Sequence, residues 1–305
     1  MFGPSGQAEL RDLRVAVVGL GGGGSLISEQ LAHLGVGSIK AIDFDVVKEH
    51  NLSRIVGASL ADVREERKKV EVARRLAERI DPTIEFDAID GDIADQEIAD
   101  QLTECDFIFL ATDSMTSRHV ANAIVHSHFI PMIQIGAKID LRDRDAIESV
   151  YVAVRPVFPG LGCLHCAGLV NPEALQWEQA TEQERRAQNY LDLPEAVDPS
   201  VITLNGIGAS IATNTMLMAA VGLADRALLD HRLFDARHGS WLSLQDQRDQ
   251  SCPWCGTEER SRFGLGDDAE LPVRLALPAA SSTKRHSRVG RWLRRILRRK
   301  RHATD

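Results

Sequence analysis

The sequence predicts an α/β fold, a doubly wound and mostly parallel sheet with helices on both faces. Three observations predict it. Between residue 14 and about residue 155, short apolar runs alternate with helix-like stretches, the pattern left by strands and the helices that cover them. The first run, Val15 to Val18, is uniformly apolar, as in a parallel strand buried on both faces. It passes directly into Gly19-Leu20-Gly21-Gly22-Gly23-Gly24-Ser25 and then an apolar-periodic segment, so the opening unit reads strand, glycine turn, helix.

Taken in order, the helix-like periodicity of Ser25 to Leu34 stops at Gly35, and a second strand, Ile39 to Ile42, ends in Asp43. Further strands are expected at Ile84–Ala88, Phe107–Leu110 and Met132–Ile135, with helices at Lys68–Ile80, Ala94–Leu102 and Ser117–His126. Val150 to Val154 reads as one more strand, in the antiparallel sense. Residues 176–200 are polar and charge-rich and read as an insertion or crossover segment. Ile207 to Leu223 is apolar without charge and reads as a buried helix, and Leu233 to Leu244 as a hairpin with Gly239 near its turn. Gly, Pro, Ala and Ser without periodicity make 264–283 a linker. The expected organisation is one domain over 1–263, the linker, and a basic amphipathic tail over 284–305.

Composition narrows the function class. The 305 residues suffice for a large core, and no run approaches the roughly 20 apolar residues of a membrane-spanning helix. Met1 to Leu10 is polar and lacks the apolar centre of a signal peptide, so a soluble, cytoplasmic protein is expected. The net charge is −8, and Lys284 to His302 carries ten Lys or Arg and no acid, so the body is more acidic than the total. That argues against nucleic-acid binding by the main fold. In the tail, Val289, Trp292, Leu293, Ile296 and Leu297 fall on one helical face, which suits an anionic membrane or nucleic acid; the plainer reading is a solvated tail or one that docks on an acidic partner.

Gly19, Gly21 and Gly24 fit G-x-G-x-x-G between a strand and a helix, the context in which glycines let backbone approach a phosphate and helix N–H groups meet the anion. Gly22 belongs to the same loop. Asp43 is suited to ribose hydroxyls. NAD would satisfy this much equally well. Three further clusters favour a triphosphate. The loop from Asp43-Phe44-Asp45 to Asn51-Leu52-Ser53-Arg54 offers an arginine fork for phosphate oxygens. Lys69 opens the next helix and can neutralise phosphate charge. Asp113, with Arg118 soon after, follows the fourth strand, where an acid can hold Mg²⁺. Each has a plainer reading: a solvated loop, an exposed helix lysine, and an N-cap for the next helix.

Cys163-Leu164-His165-Cys166 and Cys252-Pro253-Trp254-Cys255 offer four thiolates with the spacing of a tetrahedral zinc site, and no open ligand position. Structural Zn²⁺ is the expectation. Cys105, before a buried strand, is expected to be structural.

The order GLGGGGS, DFD, NLSR, KVE and TDS, followed by two Cys-x-x-Cys pairs, resembles the ThiF/MoeB/HesA-type adenylyltransferases, which are similar to the core of ubiquitin-activating enzymes. Phe2-Gly3 and Gly6-Gln7 match as well, and the resemblance covers residues 2 to about 258. It implies a Rossmann-like adenylation fold with a zinc knuckle, sites for ATP and Mg²⁺, and a homodimer. It implies that Asp43 binds ribose, that Arg54 and Lys69 serve the triphosphate, and that Asp113 serves Mg²⁺ and the reacting α-phosphate. Asp45 and Asn51 belong to the same expected nucleotide site. The implied reaction adenylates the C-terminal glycine carboxylate of a small ubiquitin-like or sulfur-carrier protein and releases pyrophosphate. Activation of a peptide or other carboxylate, an inactive nucleotide-binding scaffold and, third, an NAD-dependent dehydrogenase are the alternatives. Members of the family carry an Arg-x-x-Arg-Gln arm before the Phe-Gly segment, which this sequence does not contain, and many carry a cysteine in the crossover segment, which residues 170–204 lack.

Overall fold

The computed structural model describes residues 3–143, 146–180, 200–245 and 248–274. Its sheet has eight strands: β1 (Arg14–Val18), β2 (Ser38–Ile42), β3 (Glu85–Ile89), β4 (Phe107–Leu110), β5 (Met132–Asp143), β6 (Ala146–Val157), β7 (His231–Asp235) and β8 (Ser240–Leu244). Their spatial order is β3-β2-β1-β4-β5-β6-β7-β8. Pairing is parallel from β3 across to β5 and antiparallel from β5 to β8. The order reverses at β1, which lies between β2 and β4, and a crevice for a ligand opens at such a reversal, outside the strand C-termini.

Successive residues of each strand face opposite cores. Val15 and Val17 pack with Ile27 and Leu31 of α2 (Gly22–Leu34) and with Ala209, Ala212 and Met216 of α8 (Ile202–Ala220). Ala16 and Val18 pack on the other side with Val120, Ala121 and Ile124 of α6 (Met115–His128). Burial on both faces explains why β1 and β4 read as continuous apolar runs. Beyond the core, β5 and β6 run on for 12 residues each, well past the expected Met132–Ile135 and Val150–Val154. The remaining helices are α1 (Gly3–Arg11), α3 (Leu60–Arg64), α4 (Lys69–Ile80), α5 (Gln96–Leu102) and α7 (Pro172–Gln179). The segment Gly3 to Gln7 thus lies in α1, which Leu10 anchors in the core while the Gln7 side-chain amide donates to the Leu34 carbonyl (3.1 Å).

No described helix is long and apolar enough to cross a membrane. In α8, the helix read from Ile207 to Leu223, Asn205 and Thr213 are buried among the apolar positions. Of the expected linker, residues 264–274 lie against the body. The Gly264 amide donates to the His126 carbonyl (2.9 Å), Leu271 and Val273 join the α6-side core, and Arg274 pairs with Asp92 (2.6 Å). The rest of the linker, the tail from 284 to 305 and most of the 176–200 segment lie outside the described residues.

Candidate active site and cysteine cluster

The glycine loop is shaped by close backbone approach. Gly19 has φ +87°, and a Cβ there would stand 2.7 Å from the Ala111 carbonyl oxygen at the end of β4. A Cβ on Gly24 would fall on the Gly19 carbonyl oxygen itself, so only glycine lets α2 start so tightly against β1. Gly21 caps α2 with no side-chain bond and has open space around it, while Gly22 lies under Arg54 and Asn205.

Asp43 stands at the end of β2, and both of its oxygens are used. Oδ2 accepts from the Leu20 amide of the glycine loop (2.6 Å) and Oδ1 from the Asp45 amide (2.9 Å). Lys69 Nζ is 3.7 Å from Asp43 and 2.6 Å from Asp45. Burial pushes the Asp43 carboxyl above its ordinary range, and Lys69 and the two amides partly oppose that. The Asp43 side chain is 8 % exposed and that of Lys69 10 %, whereas Asp45, at 48 %, opens the cluster to solvent. Lys69, the first residue of α4, thus sets its ammonium between two carboxylates.

Asn51 is buried, and its Oδ1 accepts from the Lys48 amide (3.0 Å). It closes the single 3-10 turn from which Arg54 departs, the Arg54 amide donating to the Asn51 carbonyl (3.0 Å). Asp113 is exposed beyond β4, and Gly19 abuts Ala111 and Thr112 just before it. The cap of α6 is Ser114, whose hydroxyl accepts from the Ser117 amide (3.1 Å); the alternative reading of Asp113 as that cap is therefore one residue out. The structure thus gathers Gly19, Gly21, Gly22, Gly24, Asp43, Asp45, Arg54 and Lys69 around one loop, sets Asp113 beyond the adjoining strand, and gives Asn51 a bracing contact.

Two neighbours escape a reading of the sequence. Asn205, on the first turn of α8, meets Gly22 from more than 180 positions away, and it lies ahead of the Ile207 to Leu223 run that the sequence marks as a helix. Glu178, in α7, accepts from Ser114 Oγ (2.8 Å), the Met115 amide (2.8 Å) and the Thr116 amide (2.9 Å). Burial raises its carboxyl, but these bonds prevail and hold it below the ordinary range. It ties α7 to the start of α6, an anion on a helix N-terminus.

Cys163, Cys166, Cys252 and Cys255 come together from two distant segments, their sulfurs all within 4.8 Å of one another. Cys163 and Cys252 are 3.7 Å apart and Cys166 and Cys255 3.5 Å. Tetrahedral Zn–S bonds of about 2.3 Å require S···S spacings of about 3.8 Å, so the donor set fits a metal such as zinc. His165 is not part of this set; its Nε2 meets His119 Nδ1 at 2.8 Å. Cys105 is buried, and burial pushes its thiol up to about 12, which leaves it inert as a nucleophile.

The family model described as the ThiF family matches residues 1–254. The chain belongs to the ThiF family. Among ThiF-family relatives, it is 34% identical over 179 residues to the molybdopterin-synthase adenylyltransferase of Escherichia coli K12, a match covering 56% of this chain and 70% of that protein. It is 26% identical over 251 residues to the sulfur carrier protein ThiS adenylyltransferase of the same organism, covering 82% and 89%. It is 26% identical over 258 residues to the SAMP-activating enzyme E1 of Haloferax volcanii, covering 83% and 84%. The crystal structure of Escherichia coli MccB with ATP shares the fold, with a TM-score of 0.64, 20% identity, and coverage of 82% of this chain and 69% of that one. This ThiF-family chain is an enzyme of the adenylyltransferase class, and ATP is the nucleotide that class implies.

Proposed function

We propose that the protein adenylates the C-terminal glycine carboxylate of a small ubiquitin-like or sulfur-carrier protein. The observation that carries this reading is the joining of Asp43, Lys69 and Asp45 to the glycine loop in a chain similar to a relative named as the adenylyltransferase of the sulfur carrier protein ThiS. In this reading Asp43 holds the ribose and the loop together. Arg54 and Lys69 neutralise the triphosphate, Lys69 releasing Asp45 as it does so. Asp113 would hold Mg²⁺, which when bound screens the charge that builds toward pyrophosphate.

The substrate carboxylate is already ionised near neutral pH, so the step needs no general base. Its oxygen bonds to the α-phosphorus, and the bond to the bridging oxygen breaks. Pyrophosphate leaves with that electron pair. What the chain contributes is alignment and charge neutralisation. The four cysteines are assigned to structural Zn²⁺, which would fasten the segment around residue 254 to that around residue 165. No thioester step is assigned to Cys105. A homodimer is part of the proposal, as is an anionic membrane or acidic partner for the basic tail.

A second reading, activation of a peptide carboxylate, has the support of the solved MccB complex with N-formylated MccA, which shares this fold at a TM-score of 0.65 and 21% identity. Titration calorimetry with Mg-ATP and with NAD, followed by ATP–pyrophosphate exchange with carriers ending in Gly-Gly, tests the proposal. ATP binding with carrier-stimulated exchange is expected. NAD binding without ATP binding would overturn it, and exchange stimulated by short peptides alone would favour the second reading.

A further inference from the structure

We propose that Arg118 and Arg155 form a seat for a carboxylate of the acyl-bearing substrate, on the α6 side of the strand ends. The inference rests on the adenylation reading above and adds the place where the second substrate is held.

Register locates the pair. Arg155 on β6 lies opposite Gln134 on β5, and Gln134 lies opposite Leu110, the last residue of β4. Two residues along each strand, Met132 and Val157 belong to the core under α6, so Gln134 and Arg155 share that face. Arg118 stands on the first turn of α6, which begins just beyond Asp113. The glycine loop, Arg54 and Lys69 lie toward β1 and β2, on the other side of Asp113. The two arginines therefore flank the reaction site from the side opposite the triphosphate elements.

Among the described residues no carboxylate is hydrogen-bonded to either arginine. Arg155 Nη1 donates to Gln134 Oε1 (2.6 Å), and Arg118 Nη1 donates to the Leu169 carbonyl (3.1 Å). Arg118 Nε is buried without a hydrogen-bond partner. Among the described residues neither guanidinium is in an ion pair, whereas Arg75 forks onto Asp62 at 2.7 and 2.9 Å. Of the nearby acids, Glu178 is hydrogen-bonded to Ser114, Met115 and Thr116, and both it and Asp113 act on Arg118 through charge without pairing with it. Burial, with the like charge of Arg118 added, pushes Arg155 down to about 10. Two half-buried cations that feel each other's charge are costly unless an anion joins them, and guanidinium forks match a carboxylate in geometry and charge.

The terminal carboxylate and an acidic side chain near the terminus share this chemistry, and three labelled hexapeptides separate them: one ending in Gly-Gly as the free acid, the same peptide as its C-terminal amide, and the amide with Glu before the glycines. Fluorescence anisotropy is read with the non-hydrolysable analogue AMPCPP saturating. The wild type should bind one or both carboxylate peptides at least about tenfold more tightly than the plain amide, as expected when charge-assisted bonds are lost. Preference for the free acid assigns the seat to the terminus, and preference for the Glu peptide assigns it to the side chain. In Arg155→Gln and Arg118→Gln the preference should shrink to about twofold or less, and in Arg155→Gln AMPCPP affinity should be unchanged. Arg155→Lys keeps charge but not the fork and guards against a misfolded Gln variant; its preference should fall while its melting point stays near wild type. Equal binding of all three peptides by the wild type, or full preference in the variants, would overturn the proposal. Failure of the adenylation reading would appear separately, as absence of AMPCPP binding to the wild type.

Discussion

Asp43→Ala should damage the fold as well as the nucleotide site. The carboxylate accepts from the amide of Leu20, a fully buried residue, and from the amide of exposed Asp45. Truncation leaves the Leu20 N–H without its partner, which costs about 1–3 kcal/mol, whereas water can replace the bond to Asp45. Lys69 keeps its contact with Asp45 at 2.6 Å, so its charge is not stranded. Relief of the buried carboxylate's desolvation offsets part of the loss, and the net is about 1–2 kcal/mol, or roughly 2–8 °C in melting temperature. The pH dependence follows from the raised carboxyl pKa. Ionisation of Asp43 disfavours the folded state, and that penalty grows as pH rises from its ordinary value of 3.8 through the higher folded value. The variant lacks the penalty, so it should be further below wild type near pH 4 than at pH 7. Urea melts at both pH values, with ATP titration at pH 7, provide the assay. A variant within about 0.5 kcal/mol of wild type at both pH values would refute the idea that Asp43 pins the glycine loop.

Gly24→Ala should cost more than about 3 kcal/mol and abolish ATP binding, because its Cβ collides with a backbone carbonyl that cannot swing aside; melting and calorimetry check both. Cys252→Ser should lose the single equivalent of zinc expected per chain, and full metal content by atomic emission would refute the four-cysteine site. Glu178→Gln should destabilise the protein by about 1 kcal/mol at pH 7. The folded Glu178 pKa is depressed, so its contribution is present above the ordinary 4.5 and is lost as pH falls through the lower folded value; the gap between variant and wild type in urea melts should close in that window.

The sequence carried the outline of the sheet because its central strands are buried on both faces and its glycine loop admits few alternatives. It singled out Asp43 at the end of β2, but not the two amides that make the residue a brace, since hydrogen bonds from loop amides leave no mark on residue type. β5 and β6 extend beyond the apolar runs because their outer halves pair with each other outside the core, where polar residues suit a strand as well as apolar ones. α1 was not legible: its glycines and Pro4 disguise a helix that Leu10 and Gln7 hold by tertiary contact. Glu178 reaches Ser114 across 64 positions, a pairing that periodicity cannot signal. Asp113 and Ser114 differ by one residue in role, and element boundaries are where sequence patterns are least sharp.

The assignment of chemistry rests most heavily on Asp113, which is exposed and leaves the capping of α6 to Ser114. Asp113→Ala should therefore melt within about 0.5 kcal/mol of wild type. At saturating Mg-ATP with a cognate carrier, its ATP–pyrophosphate exchange should fall by about 100- to 1000-fold, the usual loss when one transition-state electrostatic contact is removed. Exchange at the wild-type rate in that stably folded variant would contradict the account.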